Sequence, residues 1–240
     1  MTTITKLPLF YERALLEEAN LAEYVCWDYN RCPHTLIFGA TGSGKTYAVK
    51  LLLGRIALYL HNAQVSICDF KADDFRFLQG CVHYYQFADC KKGLDEFYSM
   101  FRMRQQGVDT SRDFRLLMFD EWASFLNTLD KKEAEAAKMV LATLLMLGRS
   151  FNIHVLISQQ RADASYFTAG ARDQFSLICA LGNLTKESAA MFGFDIGQMR
   201  PVNKQGAGYM LTNGTNLQAI QVPKVRDISK LHSAIKRVAD

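Results

Sequence analysis

The sequence predicts an α/β protein: a mainly parallel sheet with helices on both faces, ending in a C-terminal β-hairpin. Three observations carry this expectation. Gly39-Ala40-Thr41-Gly42-Ser43-Gly44-Lys45-Thr46 is a complete G-x-x-x-x-G-K-T phosphate loop, set between the apolar run Thr35-Leu36-Ile37-Phe38 and a stretch that is apolar at helical spacing. Beyond it, short apolar runs alternate with stretches of helical period, as in βα units that build a parallel sheet. Asn213-Gly214-Thr215 separates two apolar runs as a hairpin turn does.

Residues 1–30 read as a helical prelude. Apolar residues recur at helical spacing over 11–27 (Ala14, Leu15, Ala19 and Val25 among them), with Glu17, Glu18 and Glu23 interspersed. A short link ends at Pro33, and residues 31–240 form one further domain. Residues 35–38 are its first strand and 47–60 the helix that leaves the loop. Residues 65–69 form a second strand and 84–87 a short third. Residues 94–106 make a helix with Phe97, Phe101 and Met103 inside, and 115–119 a buried strand. Residues 131–147 form a long helix, charged at its start and stopped by Gly148. Two more strands span 153–158 and 175–180, the hairpin pairs 208–212 with 217–222, and 227–238 is the closing helix. No repeat, low-complexity tract or Pro/Gly/Ser-rich linker divides the chain.

The 240 residues are 49% hydrophobic and 22% charged, enough to bury a sizeable core. A net charge of +4 permits contact with nucleic acid without demanding it. No basic stretch followed by an apolar run opens the sequence, and the apolar residues 139–147 are too few to span a bilayer. A cytoplasmic protein is therefore expected, touching a membrane only through a partner. The six cysteines (Cys26, Cys32, Cys68, Cys81, Cys90 and Cys179) form no C-x-x-C pair, and no histidine stands at zinc-site spacing. Reduced thiols are expected, with Cys68 and Cys179 as small core residues.

The phosphate loop points to ATP with Mg²⁺. Its glycines let Thr41, Gly42, Ser43 and Gly44 turn backbone N–H groups towards one anion at a helix N-terminus; Lys45 reaches the β- and γ-phosphates and Thr46 ligates Mg²⁺. Leu116-Leu117-Met118-Phe119 runs into Asp120-Glu121 at a strand end. Asp120 suits the metal, through a coordinated water, and Glu121 suits general-base activation of water. An adjacent Glu separates water-activating ATPases from kinases, which must keep water away. The strand 153–158 ends in Ser158-Gln159-Gln160-Arg161, where Gln160 can contact the γ-phosphate or the attacking water.

The run from Pro33 to Thr46, Asp69-Phe70-Lys71, Phe101-Arg102-Met103-Arg104, and Arg149-Ser150-Phe151-Asn152-Ile153-His154 followed by Ser158-Gln159-Gln160-Arg161 together resemble the FtsK/HerA superfamily, closest to FtsK/SpoIIIE-type motors. The likeness runs from about residue 32 to 210. It implies a RecA-like P-loop NTPase core, a homohexameric ring, ATP-driven movement along DNA and a nucleotide held between subunits, with Gln160 as the post-strand glutamine. Phe70 and Ala162 stand where the family has proline. The family's arginine before the strand 175–180 is replaced near Ser176, and its Ser-Arg pair is Ser188-Ala189. Arg149, Arg161 and Arg172 are thus candidates for the arginine acting in trans.

Neither a membrane region nor a winged-helix reader of chromosome translocases is present in this sequence, which leads to the expectation of a plasmid or conjugative-element transfer ATPase moving double-stranded DNA without reading its sequence. A viral genome-packaging ATPase of the same superfamily is the rival reading. A slowly hydrolysing nucleotide-dependent scaffold is the alternative of another class. Lys71, Arg76, Lys91, Lys92, Lys204 and Lys224 are candidate DNA contacts, and 70–77 mixes basic and aromatic residues either to grip a strand or to bury its rings. His34 reads as ordering the approach to the phosphate loop, and His154 as structural.

Overall fold

The computed structural model describes residues 5–161, 163–168 and 170–240. In chain order its elements are β1 (Lys6–Glu12), α1 (Arg13–Glu18), β2 (Tyr24–Asp28), β3 (His34–Phe38), α2 (Lys45–Tyr59), β4 (Gln64–Asp69), β5 (Tyr84–Gln86), α3 (Asp89–Gln105), β6 (Arg115–Asp120) and α4 (Trp122–Leu126). There follow α5 (Lys131–Leu147), β7 (Ile153–Gln159), β8 (Leu177–Leu181), α6 (Lys186–Phe192), β9 (Ala207–Thr212), β10 (Asn216–Gln221) and α7 (Ile228–Ala239). The ten strands form one sheet in the order β2-β1-β10-β9-β8-β3-β7-β6-β4-β5. From β5 to β8 the pairs are parallel; β9, β10, β1 and β2 continue the sheet antiparallel.

The parallel strands are apolar almost throughout because both faces are covered. Alternate residues of β6 divide between two cores: Leu117 and Phe119 face α3, α4 and α5, whereas Leu116 and Met118 face α2 and α7. The long helix α5 starts where the sequence places it, for a visible reason. Asp130 accepts from the Glu133 amide and the Glu133 carboxylate accepts from the Asp130 amide, a capping box that satisfies two otherwise unpaired donors. The hairpin β9–β10 also stands as expected, with Asn213 and Gly214 at φ of 51° and 69° in its turn.

The helix expected over 11–27 is not formed. Six residues of it are α1; the rest belongs to β1, β2 and their connection, and β1 pairs with both β10 and β2. The pattern that competed is a period of two: in β2, Val25 and Trp27 are buried while Tyr24 and Cys26 are exposed. Asn20, at φ 52°, ends the helical path. The helix α4, of five residues, is too short for an apolar period to show, α6 forms around Ser188-Ala189 where the family resemblance puts a helix, and α3 begins five residues earlier than the apolar period alone suggests.

The starts of the central strands are tied together. The guanidinium of Arg104, with no exposed side-chain surface, donates to the carbonyls of Asp113 (2.9 Å) and Phe151 (2.7 Å) and pairs with Asp109 at 2.9 Å. It thereby joins the segment before β6 to the turn before β7. His154 Nδ1 donates to the Pro33 carbonyl at 2.9 Å, and the Val155 amide donates to His34 Nδ1 at 3.2 Å, joining β7 to β3. Among the described residues no helix is long and apolar enough to cross a membrane.

Candidate active site

Parallel register brings the functional strand ends level. Asp69 stands opposite Asp120, Asp120 opposite Ser158, and Phe38 opposite both Gln159 and Ala180. The segments that follow β3, β4, β6 and β7 therefore converge on one edge, the usual ligand crevice of such a sheet. There Thr41, Gly42, Gly44, Lys45, Thr46, Lys71, Asp74, Asp120, Glu121, Gln160 and Gln205 line a cavity of about 330 Å³.

The phosphate loop is wedged between β8 and the segment entering β9. A Cβ at Gly39 would lie 2.4 Å from the Leu181 carbonyl oxygen, and one at Gly44 would lie 3.3 Å from the backbone of Gly206. Gly44, at φ 99°, occupies the left-handed region at the N-cap of α2. The Gly206 amide donates to the Ser43 carbonyl at 2.9 Å, and Gln205 Nε2 to the Gly42 carbonyl at 2.9 Å. These contacts preset the curl that an anion nest requires. Burial lowers the Lys45 pKa from its ordinary value, opposed by the nearby carboxylates of Glu121 and Asp120.

Asp120 and Glu121 are successive residues, yet both line the cavity. An extended strand cannot do this, because its side chains alternate. Glu121 instead adopts φ 57° and ψ 48°, a left-handed conformation that costs a non-glycine residue about 1–2 kcal/mol. Its amide donates to the Ser158 carbonyl at 2.7 Å, which holds the turn. Such local strain is characteristic of preorganised sites. Burial, the main cause, with the charges of Glu121 and Asp69, pushes the Asp120 carboxyl up to about 7; the Ser158 hydroxyl pulls the other way.

Lys71 and Asp74 are the residues whose place the sequence did not disclose. Lys71 Nζ donates to Glu121 Oε1 at 2.7 Å, and the Thr46 hydroxyl donates to Asp74 Oδ2 at 2.9 Å. Both come from the segment after β4, which Asp69 organises by accepting from the amides of Ala72 (3.0 Å) and Phe75 (3.3 Å) and from the Tyr84 hydroxyl (3.0 Å). The aromatics of 70–77 are used inside the fold. Phe75 is fully buried, Phe77 stacks on His232 at 3.7 Å and Phe70 meets Phe125 edge-on at 5.9 Å. The Asp-x-Lys spacing after a strand that neighbours the Asp-Glu strand is the signal that could have placed Lys71.

Gln160 stands across the cavity within 3.4 Å of the Thr41 hydroxyl. The three candidate arginines do not line it. Arg149 and Arg172 lie at the opposite edge, before β7 and β8, and Arg161 is exposed just beyond Gln160. Ala162, where the family has proline, lies outside the described residues. Of the candidate DNA contacts, Arg76 pairs with Asp73, Lys91 with Asp95, Lys92 with Glu96 and Lys204 with Glu17. Thr46 and Asp120 line the same cavity and offer the oxygen donors that a hard cation such as Mg²⁺ takes, while no group of three or more His, Cys, Asp or Glu among the described residues is placed to hold a metal.

A family model described as the central domain of helicase HerA (DUF87) matches residues 16–171. The FtsK domain-containing protein YdcQ of Bacillus subtilis (strain 168) is 30% identical over 207 residues; the match covers 79% of this chain and 42% of YdcQ. The chain thus spans less than half the length of that relative. Among solved structures, the pCW3 conjugation coupling protein TcpA, a monomer with ATPγS, aligns with a TM-score of 0.73 at 16% identity, over 99% of this chain and 75% of that one. The cytoplasmic domain of the type VII secretion ATPase EccC of Thermomonospora curvata aligns at 0.70 and 17%, over 97% and 30%. At these identities the structures share the fold. The family match spans more than half of the chain and contains the phosphate loop, Asp120, Glu121 and Gln160; the chain belongs to the HerA central-domain family, within the FtsK/HerA-type P-loop ATPases.

Proposed function

We propose that this protein hydrolyses ATP and uses the energy to move double-stranded DNA through a homohexameric ring, in the cytoplasm, for plasmid or conjugative-element transfer. The observation that carries the hydrolytic part is the convergence of Lys45, Thr46, Asp120, Glu121 and Gln160 on one cavity. The likeness in fold to a conjugation coupling protein supports the transfer role.

In this reading the backbone of residues 41–44 and the Lys45 ammonium bind and orient the triphosphate. Thr46 and Asp120 would hold Mg²⁺, which when bound neutralises phosphate charge. Glu121 takes a proton from the attacking water, and Gln160 orients that water against the γ-phosphate. The pocket supplies two cations of its own, Lys45 and Lys71; the arginine comes from a neighbouring subunit. The exposed apolar side chains Met139, Met146 and Leu147 on α5, just before Arg149, support a subunit contact there.

Hydrolysis measured at low salt with and without long linear duplex tests this reading. Turnover rises with duplex present, and Glu121→Gln lowers kcat by about 10²–10⁴-fold. Turnover indifferent to DNA rejects the translocase, and a fully active Glu121→Gln variant rejects the base.

A further inference from the structure

Glu121 is placed as the base, yet its carboxylate is committed to a cation. The Lys71–Glu121 pair is 2.7 Å long, and the Glu121 side chain is only 6% exposed. With the ammonium on Oε1, one of the two oxygens of the base is already engaged by a donor. Lys71 differs from its partner. Its side chain is 41% exposed, it sits on a connecting segment, and it lines the same cavity as Lys45. The Asp69 clamp fixes the backbone beneath it, so the long side chain can swing while the segment stays in place. Asp74, three residues on, already holds the Thr46 hydroxyl. One short segment thus touches the base and the metal-binding hydroxyl together.

We infer that residues 71–74 form a latch that responds to the third phosphate: Lys71 holds Glu121 until the terminal phosphate of ATP takes the ammonium, which frees the carboxylate to act on water. This rests on the cavity being an ATP site. Lys71 is then a positioning residue that acts through Glu121, and the choice it makes is between two anions. The γ-phosphate carries more charge than a carboxylate and lies in the cavity that the ammonium faces. ADP has no group at that place, so with ADP bound the base stays locked.

Competition for one ammonium has a thermodynamic signature that needs no turnover. Dissociation constants are measured in Mg²⁺ buffer for ADP and for the non-hydrolysable AMP-PNP, using the full chain, Glu121→Gln, Lys71→Met, Lys71→Arg and the Glu121→Gln/Lys71→Met double variant. Releasing Lys71 by Glu121→Gln tightens AMP-PNP by about tenfold, the scale of one charge-assisted hydrogen bond, and leaves ADP unchanged. In the Lys71→Met background the same change has no effect, and Lys71→Arg retains the discrimination between the two nucleotides. The latch is overturned if Glu121→Gln tightens AMP-PNP equally with Met at 71, since the carboxylate then repels phosphate without Lys71. It is also overturned if Glu121→Gln weakens AMP-PNP, since Lys71 then bridges both anions. Binding of neither nucleotide by the unaltered chain would remove the ATP site itself, an outcome distinct from both.

Discussion

His34 shows what burial does to one side chain. Its Nδ1 accepts the Val155 amide, so the ring is neutral there, and burial first, then the nearness of His154, lowers its pKa to about 3. The unfolded chain takes up a proton near the ordinary value of 6.5, whereas the folded chain does not until far lower pH. The stability this supplies is complete above pH 6.5 and is lost as pH falls towards 3. Between pH 7 and pH 5 the loss from this group is about 2 kcal/mol. Urea denaturation at the two pH values, comparing the unaltered chain with His34→Gln, measures it: the variant's stability falls by about 2 kcal/mol less over that interval. At this scale the sequence was legible where chemistry demands rare residues at fixed spacing, as at Gly39–Thr46 and Asp120-Glu121. The left-handed turn at Glu121 was not legible, since a glutamate rarely adopts it and it is held by contacts distant in sequence, the Ser158 carbonyl and Lys71 among them.

Among the elements, the segment between β4 and β5 matters most to the site, and a single carboxylate shapes it. Asp69 satisfies two amides and one phenol, all of them donors. An amide in its place sets an NH₂ group against donors on one side. Asp69→Asn therefore costs about 1–3 kcal/mol of stability and loosens both Lys71 and Asp74. Denaturant unfolding checks the first effect and the affinity for Mg²⁺–ATP the second; a variant of unchanged stability and affinity would show that the segment holds its shape without the clamp. The strands β4, β6, β7 and β8 could be read from apolar runs because two covered faces leave little room for polar residues, which here are few and mostly near the strand ends, as Asp69, Asp120 and Ser158 are. The strand β1 could not, because what makes it a strand is pairing, with β2 along its length and with β10, more than two hundred residues on, at its end. In the sequence Lys71 reads as a DNA contact and not as the partner of Glu121 for a related reason. Fifty residues separate it from Glu121, and only the register of β4 against β6 brings them together.

As a whole molecule the chain carries a pocket lined, among the described residues, by two lysines and no arginine. If a neighbour completes it, two crippled chains can rescue each other. Lys45→Ala destroys a chain's own pocket but leaves the arginine it lends. Alanine at the lending residue among Arg149, Arg161 and Arg172 does the reverse. Mixing the two inactive proteins should restore part of the hydrolysis for one of the three, read as phosphate release across mixing ratios. No rescue with any of the three would place the needed cation within the chain.

The ties at the strand starts have a mechanical meaning. Arg104, His34 and His154 bind the bases of β6, β7 and β3 to one another, while Glu121, Gln160 and the phosphate loop hang from the far ends. A strand of six residues is a lever of roughly 20 Å. A change of about 3° in the relative twist of β6 and β7, small beside the spread found among ordinary sheets, would therefore move their tips apart by about 1 Å. A displacement of that size is enough to cost a reaction about a hundredfold. The fold thus has a fixed rim and a sensitive one: a push too slight to disturb the packing at Arg104 would be felt in full at the base and the glutamine, as at the tip of a pair of tongs held by the hinge.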